Sequence, residues 1–375
     1  MFDVRFRTRA VALLMLIGWT GHAQEAGPVE PTSKPATGSP ASSPPDPSDS
    51  EAPSAPPGFS LEPRLFGYIQ VHYRYALDTG EDELVDYDDF RVQRVRLGVE
   101  GDVFPWLSYD IEVDPRAPDV SSVLRDAFLS FKVIPRHSIR VGQQKTQFGY
   151  ENRESSRRLF AVNRTELSDN LSRGGDTLRD IGIGLLGNIK LGGGFRLEDA
   201  ITLVNGAGMN AQDDDTEGKD VWGRIGLRYK QDDVVIARLG VSGAAGDYVD
   251  EGDDPDDPMD DFRVDFRRYG VDLEVDQTWF FLSAELVLGR DEIPALGESD
   301  DPSGYYVNLV GKTAWQVGPI ARYDTLGDEF QRWTFGAYYG AADARFRVMF
   351  NYELRHLKDD ARGDDKLYLW TQLTY

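Results

Sequence analysis

Basic side chains spaced two residues apart are where this sequence could act on other molecules. Arg94 and Arg96 sit in the stretch 90–101, and Arg140 lies in a similar stretch further on. In an extended chain residues i and i+2 point the same way, so Arg94 and Arg96 share a face. Cations on a wet face attract and guide anions; they do not make or break bonds. Asp110, Glu112, Asp272, Glu274 and Glu285 follow the same alternation with the opposite sign. Opposed charges across a water-filled space set a transverse field that tunes ion preference. The same side chains could equally pair and brace a wall, and composition leaves anion against cation preference open.

A second basic group falls in the long connection 146–178. Arg153, Arg157, Arg158, Arg164 and Arg173 lie there among Glu151, Glu154, Glu166, Asp169 and Asp176. The same segment holds Phe148, Tyr150, Leu159, Phe160 and Val162, which a solvated loop tip does not need. Long loops with apolar anchors are commonly functional. This one is expected to fold inward and narrow an interior space, with its arginines on the constriction.

No nucleophile–base pair for covalent chemistry can be nominated. There is no cysteine, so thiolate metal sites and cysteine nucleophiles are excluded. Beyond residue 23 only His72, His137 and His356 remain, and none is read as pairing locally with a serine or with a metal-spaced partner. Gly182, Gly184 and Gly187 match G-x-G-x-x-G, but strand-like residues follow where a dinucleotide site requires a helix. No cofactor or metal is expected, and the chain is read as a non-enzyme. A net charge of -23 argues against nucleic acid, which is bound by clustered basic surface. Much of that charge sits in polar connections: 78–89 holds seven acids and no base, and 247–261 holds nine and no base.

The elements that must hold these residues are legible from periodicity. Arg5, Arg7 and Arg9 precede a short apolar run, and Gly21-His22-Ala23 offers a small-residue cleavage site; 1–23 reads as a secretory signal peptide. Residues 24–62 are rich in Pro, Ser and Ala and read as a disordered periplasmic tether. From 63 to 375 alternation dominates. Leu107, Tyr109, Ile111 and Val113 interleave with Ser108, Asp110 and Glu112. Phe346, Val348, Phe350 and Tyr352 interleave with Arg347, Asn351 and Glu353, and the basic face is expected to include Arg345. Sixteen such segments run from 64–77 to 366–375, among them 234–246, 278–289 and 343–356. Short connections alternate with long ones, though the loop near 325–330 is shorter than its class should be.

No later segment is apolar and long enough for a membrane helix, so retention in a membrane after export requires a closed barrel. The expected fold is therefore all-β: a sixteen-stranded antiparallel transmembrane β-barrel with short periplasmic turns, long extracellular loops and a polar, wet interior. Tyr68, Tyr73, Tyr75, Phe104, Trp106, Trp279, Trp315, Trp333 and Tyr375 are expected in its aromatic girdles. A final strand with alternating Leu369, Thr371, Leu373 and Tyr375 resembles the signal read by the barrel-insertion machinery.

Three stretches resemble the phosphate-selective porin O and P family: 90–101, the run Leu124-Arg125-Asp126-Ala127-Phe128, and 140–151. Gln93 and Gln147 depart from the pattern, standing where the family often has a base and a proline. The resemblance implies a homotrimeric outer-membrane porin that passes small anions such as phosphate or polyphosphate. On the matching positions it implies Arg94, Arg96, Arg140 and Lys145 as pore-lining bases. Two alternatives remain: a weakly selective general diffusion porin, and a structural barrel tied to the cell wall by its N-terminal tail.

Overall fold

The computed structural model describes residues 62–77, 88–117, 122–171, 179–211, 218–232, 234–250, 262–341, 344–357 and 365–375. The expected signal peptide, almost all of the expected tether and most of the acidic loops lie outside these residues.

The strands are β1 Arg64–Leu77, β2 Asp88–Phe104, β3 Leu107–Val113, β4 Leu124–Ile134, β5 His137–Lys145, β6 Arg179–Gly192, β7 Phe195–Val204 and β8 Asp220–Gln231. They continue with β9 Val234–Asp250, β10 Phe262–Asp276, β11 Phe280–Ile293, β12 Glu298–Asp300, β13 Ser303–Gly311, β14 Val317–Leu326, β15 Phe330–Tyr339, β16 Phe346–Leu357 and β17 Asp365–Thr374. Apart from β12, which only lengthens the β11 hairpin, each strand pairs antiparallel with its neighbours in sequence. β1 pairs with both β2 and β17, which closes a sixteen-stranded barrel. Closure pairs every edge, the condition lipid imposes on a spanning sheet.

Alternation sets which side faces out. On β10, Tyr269 and Val271 are exposed while Asp272 and Glu274 are buried. On β16, Phe346 and Phe350 are exposed, whereas Arg347, Asn351 and Glu353 are buried. One end carries tight turns. Gly192, Gly193 and Gly194 all take positive φ (96°, 59° and 82°), which only glycine adopts without steric cost. The other end carries the long connections, except for a three-residue link, 327–329, between β14 and β15.

Four expectations need correction. Strands β9 and β11 run past 246 and 289, because ladder hydrogen bonds go on forming beyond the lipid. Arg345 lies in the bend before β16, exposed, and not on the inner wall. Tyr68 is buried and faces inward, so it is no part of a girdle. The interior is also not uniformly wet. Trp222, Phe266, Val287 and Tyr306 form one buried apolar cluster, and Ile320, Met349, Tyr368 and Trp370 belong to another. The outer aromatics do gather near strand ends: Trp106 stacks on Phe104 at 5.3 Å, and Tyr323 lies 4.6 Å from Trp333.

Candidate functional site

The two dry patches receive the long connection. Phe148 packs edge-on against Trp222 at 5.7 Å, and Leu167 joins the same cluster. Phe160 meets Tyr338 at 4.9 Å and Phe281 at 5.7 Å, with Val162 beside it. Burying a phenylalanine contributes roughly 1.5–3 kcal/mol, so two such anchors offset much of the entropy of ordering the segment.

Inward side chains of the wall then satisfy the backbone of the segment. Glu285 on β11 accepts the N–H of Tyr150 (3.1 Å) and of Glu151 (3.2 Å). Gly149 lies beneath that carboxylate with φ 60°, and a Cβ there would stand 1.9 Å from Oε1. Arg322 donates to the carbonyl of Asn163 (2.7 Å), Arg332 to that of Arg164 (2.6 Å) and Arg347 to that of Leu159 (3.1 Å). Asn351 accepts the N–H of Val162 at 2.9 Å. Residues 146–171 are therefore stitched to the inner faces of β11 and β14–β16. The remaining residues of the connection, including Arg173, lie outside the described set.

What is left of the interior is an off-centre cavity of about 1150 Å³. Its lining reaches from Arg64 at the short-turn end to Arg355 and Lys366 near the long-loop end. Strands β1–β6, with residues of β15–β17, form the wall side and the folded-in segment the other. Arg94, Arg96, Arg140, Lys145, Arg153, Arg157 and Arg164 all line it. Arg158 does not: it ion-pairs with Glu154 at 3.4 Å and borders a separate void of about 20 Å³ behind the segment, room for one water.

The lining arginines divide by partner. Arg96 is locked between Glu112 and Asp114, each at 3.0 Å. Away from the cavity, Arg224 and Asp272 (2.5 Å), Arg228 and Glu198 (3.1 Å), and Arg238 and Glu274 (2.7 Å) are wall braces too. By contrast, among the described residues Arg94, Arg140, Lys145, Arg153, Arg157 and Arg164 have no carboxylate partner. Arg94 donates to Gln70 at 2.9 Å, Arg140 stacks over Phe128 at 4.7 Å, and Arg153 donates to Gln147 at 3.2 Å. Lys145 donates to the carbonyls of Asn152 (3.0 Å) and Glu154 (2.6 Å), and Arg164 to those of Glu151 and Glu154. These partners are neutral, so no ion pair offsets the charge of the arginines. Burial, with Arg224 and Arg238 nearby, lowers Arg153 to about 10, which leaves it cationic at neutral pH. The lining as a whole holds thirteen Arg and Lys against seven Asp and Glu.

Both departures from the family pattern lie in this site. Gln93 is the extra residue of a β-bulge opposite Gln70 and Val71, and it turns into the cavity. Gln147 holds Arg153. Sequence reading missed the role of Arg322 and Arg332 as pegs. Their parity on β14 and β15 placed them inward, but nothing local says that a distant backbone needs donors.

The family model described as phosphate-selective porin O and P matches residues 67–254. No curated protein matches the chain in sequence. Among solved structures, the outer-membrane protein OmpT of Vibrio cholerae, in trimer form, superposes with a TM-score of 0.57 at 13% identity, covering 84% of this chain and 99% of its own. The outer-membrane channel DcaP of Acinetobacter baumannii gives 0.54 at 13% identity, covering 84% and 97%. OmpF of Salmonella typhi, in complex with daunomycin, gives 0.53 at 16% identity, again covering 84% and 97%. Such identities speak to the fold alone. The match to the family model spans half of the chain, and with it this barrel belongs to the phosphate-selective porin O and P family, as an outer-membrane porin for passive diffusion.

Proposed function

We propose that this porin passes small anions in preference to cations, through a path between β1–β6 and a constriction built by residues 146–171. One observation carries the reading: among the described residues five lining arginines, Arg94, Arg140, Arg153, Arg157 and Arg164, have no carboxylate partner, so no ion pair holds their charge back from the path. Phosphate and polyphosphate fall within the class such a lining favours, because guanidinium groups match their oxygens in charge and geometry. The rest of the reading is a homotrimer, exported by a signal peptide over 1–23, carrying a periplasmic tether over 24–62 and inserted by the barrel-assembly machinery. The trimer form of the similar Vibrio cholerae OmpT supports the assembly.

The test is a reversal potential across a planar bilayer in a potassium chloride gradient. Chloride preference is expected, with single-channel conductance reduced when phosphate is added. A cation-preferring potential overturns the proposal. A second reading, a weakly selective diffusion porin, draws on Asp110 and Asp169, which line the cavity without an ion-pair partner among the described residues. A potential near zero would favour it.

A further inference from the structure

The outer face of the β10–β11 hairpin carries an arrangement that solute passage does not use. Starting from the short turn, Val275 pairs with Leu282, Leu273 with Ala284, Val271 with Leu286 and Tyr269 with Leu288. All eight face outward, and Tyr269 and Leu288 are more than half exposed, at 60% and 51%. The next outward rung pairs Arg267 with Arg290. Eight residues of a strand tilted by about 40° rise roughly 20 Å, close to the height of an outer-membrane apolar band. The arginine rung therefore falls where hydrocarbon ends and headgroups begin, on the long-loop side.

Like charges directly opposite each other on a sheet repel. Arg290 is eased by Glu292 at 2.7 Å and Asp301 at 3.7 Å, all of them exposed. Among the described residues Arg267 forms no ion pair of its own, and Glu292, which faces Asp265 on the next outward rung, feels both arginines. An anion seated between the two guanidinium groups on the lipid side would add to that relief and satisfy planar donors suited to phosphate oxygens. The apolar rungs below offer a surface for acyl chains. We propose that Arg267 and Arg290 bind the phosphate of a lipid in the leaflet on the long-loop side, with its chains lying along Tyr269, Leu288, Val271 and Leu286. The site is on the outer wall and is independent of which solute crosses the barrel.

The test is native mass spectrometry of the purified barrel, released from phosphatidylcholine nanodiscs doped with phosphatidic acid and with diacylglycerol of the same chains. Wild type is expected to retain phosphatidic acid over diacylglycerol. The double variant Arg267→Gln/Arg290→Gln should retain roughly thirtyfold less, the scale set by about 1 kcal/mol for each of two surface arginines. Arg345→Gln, at the opposite end of the barrel, should retain as much as wild type, and unheated gel mobility checks that every variant is folded. Equal retention by the double variant, or equal retention of the two lipids by wild type, overturns the proposal. So does displacement of phosphatidic acid by millimolar inorganic phosphate, which would make this a site for the free ion. Cross-linking of a Tyr269→Cys variant between two copies would also overturn it, because the face would then be covered by protein.

Discussion

Arg94 and Arg96 stand two residues apart on one strand, face the same cavity and do different work. Among the described residues Arg94 has only the amide of Gln70 as a hydrogen-bond acceptor, whereas Arg96 sits between two carboxylates. Arg94→Gln is expected to lower the chloride-to-potassium permeability ratio and leave unfolding unchanged. Arg96→Gln removes the counter-charge of buried Asp114, which keeps the N–H groups of Val95 and Arg116, at a cost of about 3–5 kcal/mol. Denaturant unfolding in vesicles reads that loss, and selectivity should move less than for Arg94. Equal effects of the two variants on selectivity would show that pairing does not decide which cation acts. Asp169 supplies a pH lever on the same cavity. Burial raises its carboxyl to about 6, against the pull of Arg164 and with the help of Glu151 and Glu166. Above that pH it is ionised and offsets part of the positive lining; below it, it is neutral. Anion preference should therefore rise as pH falls from 7.5 to 5, and Asp169→Asn should hold the acidic value across the range. A step of the same size in the variant would assign it to another group.

The folded-in segment behaves as an element because both its ends and its middle are fixed by groups from distant strands. Glu285→Ala leaves the N–H groups of Tyr150 and Glu151 without an acceptor, and Phe148→Ala empties the pocket beside Trp222 at a cost of about 3–5 kcal/mol. In both variants that cost falls on docking of the segment, since closure of the wall does not depend on it. The expected outcome is larger, noisier single-channel conductance and faster protease cleavage within 146–171, with unheated gel mobility unchanged. Conductance equal to wild type would mean that the segment does not limit the path. Gly149→Ala should act alike by pressing a methyl group into Glu285. Much at this scale is legible in the sequence. Period-two alternation located all sixteen barrel strands, because lipid outside and water inside force a polarity switch at every residue. Phe148, Phe160 and Val162 betrayed the segment's anchors, being apolar where a solvated loop gains nothing from them. The receiving surface was illegible for the same physical reason. Trp222, Phe266, Met349 and Trp370 are apolar on the inner face, and alternation alone cannot tell a dry patch under a loop from a patch under lipid. Pairing was illegible too: Arg94 and Arg96 look alike until cross-strand register gives one of them Glu112 and Asp114.

At the scale of the whole molecule, the net charge and the charge lining the cavity have opposite signs. The chain carries -23, while the cavity lining holds thirteen bases against seven acids. The sequence assigns much of the negative charge to the long connections, so distance from the path separates the two fields. Lining cations lie within a few ångströms of a permeating ion; charges outside the barrel must act through electrolyte. The Debye length is about 3 Å at 1 M and about 10 Å at 0.1 M salt. Dilution over that range extends the reach of the lining across the cavity before it brings in charges further away. The chloride-to-potassium permeability ratio should therefore rise when symmetrical salt is lowered from 1 M to 0.1 M with a fixed small gradient. If the ratio instead crosses to cation preference on dilution, the acidic exterior governs entry, and the uncompensated arginines of the inner wall are not what selects the ion.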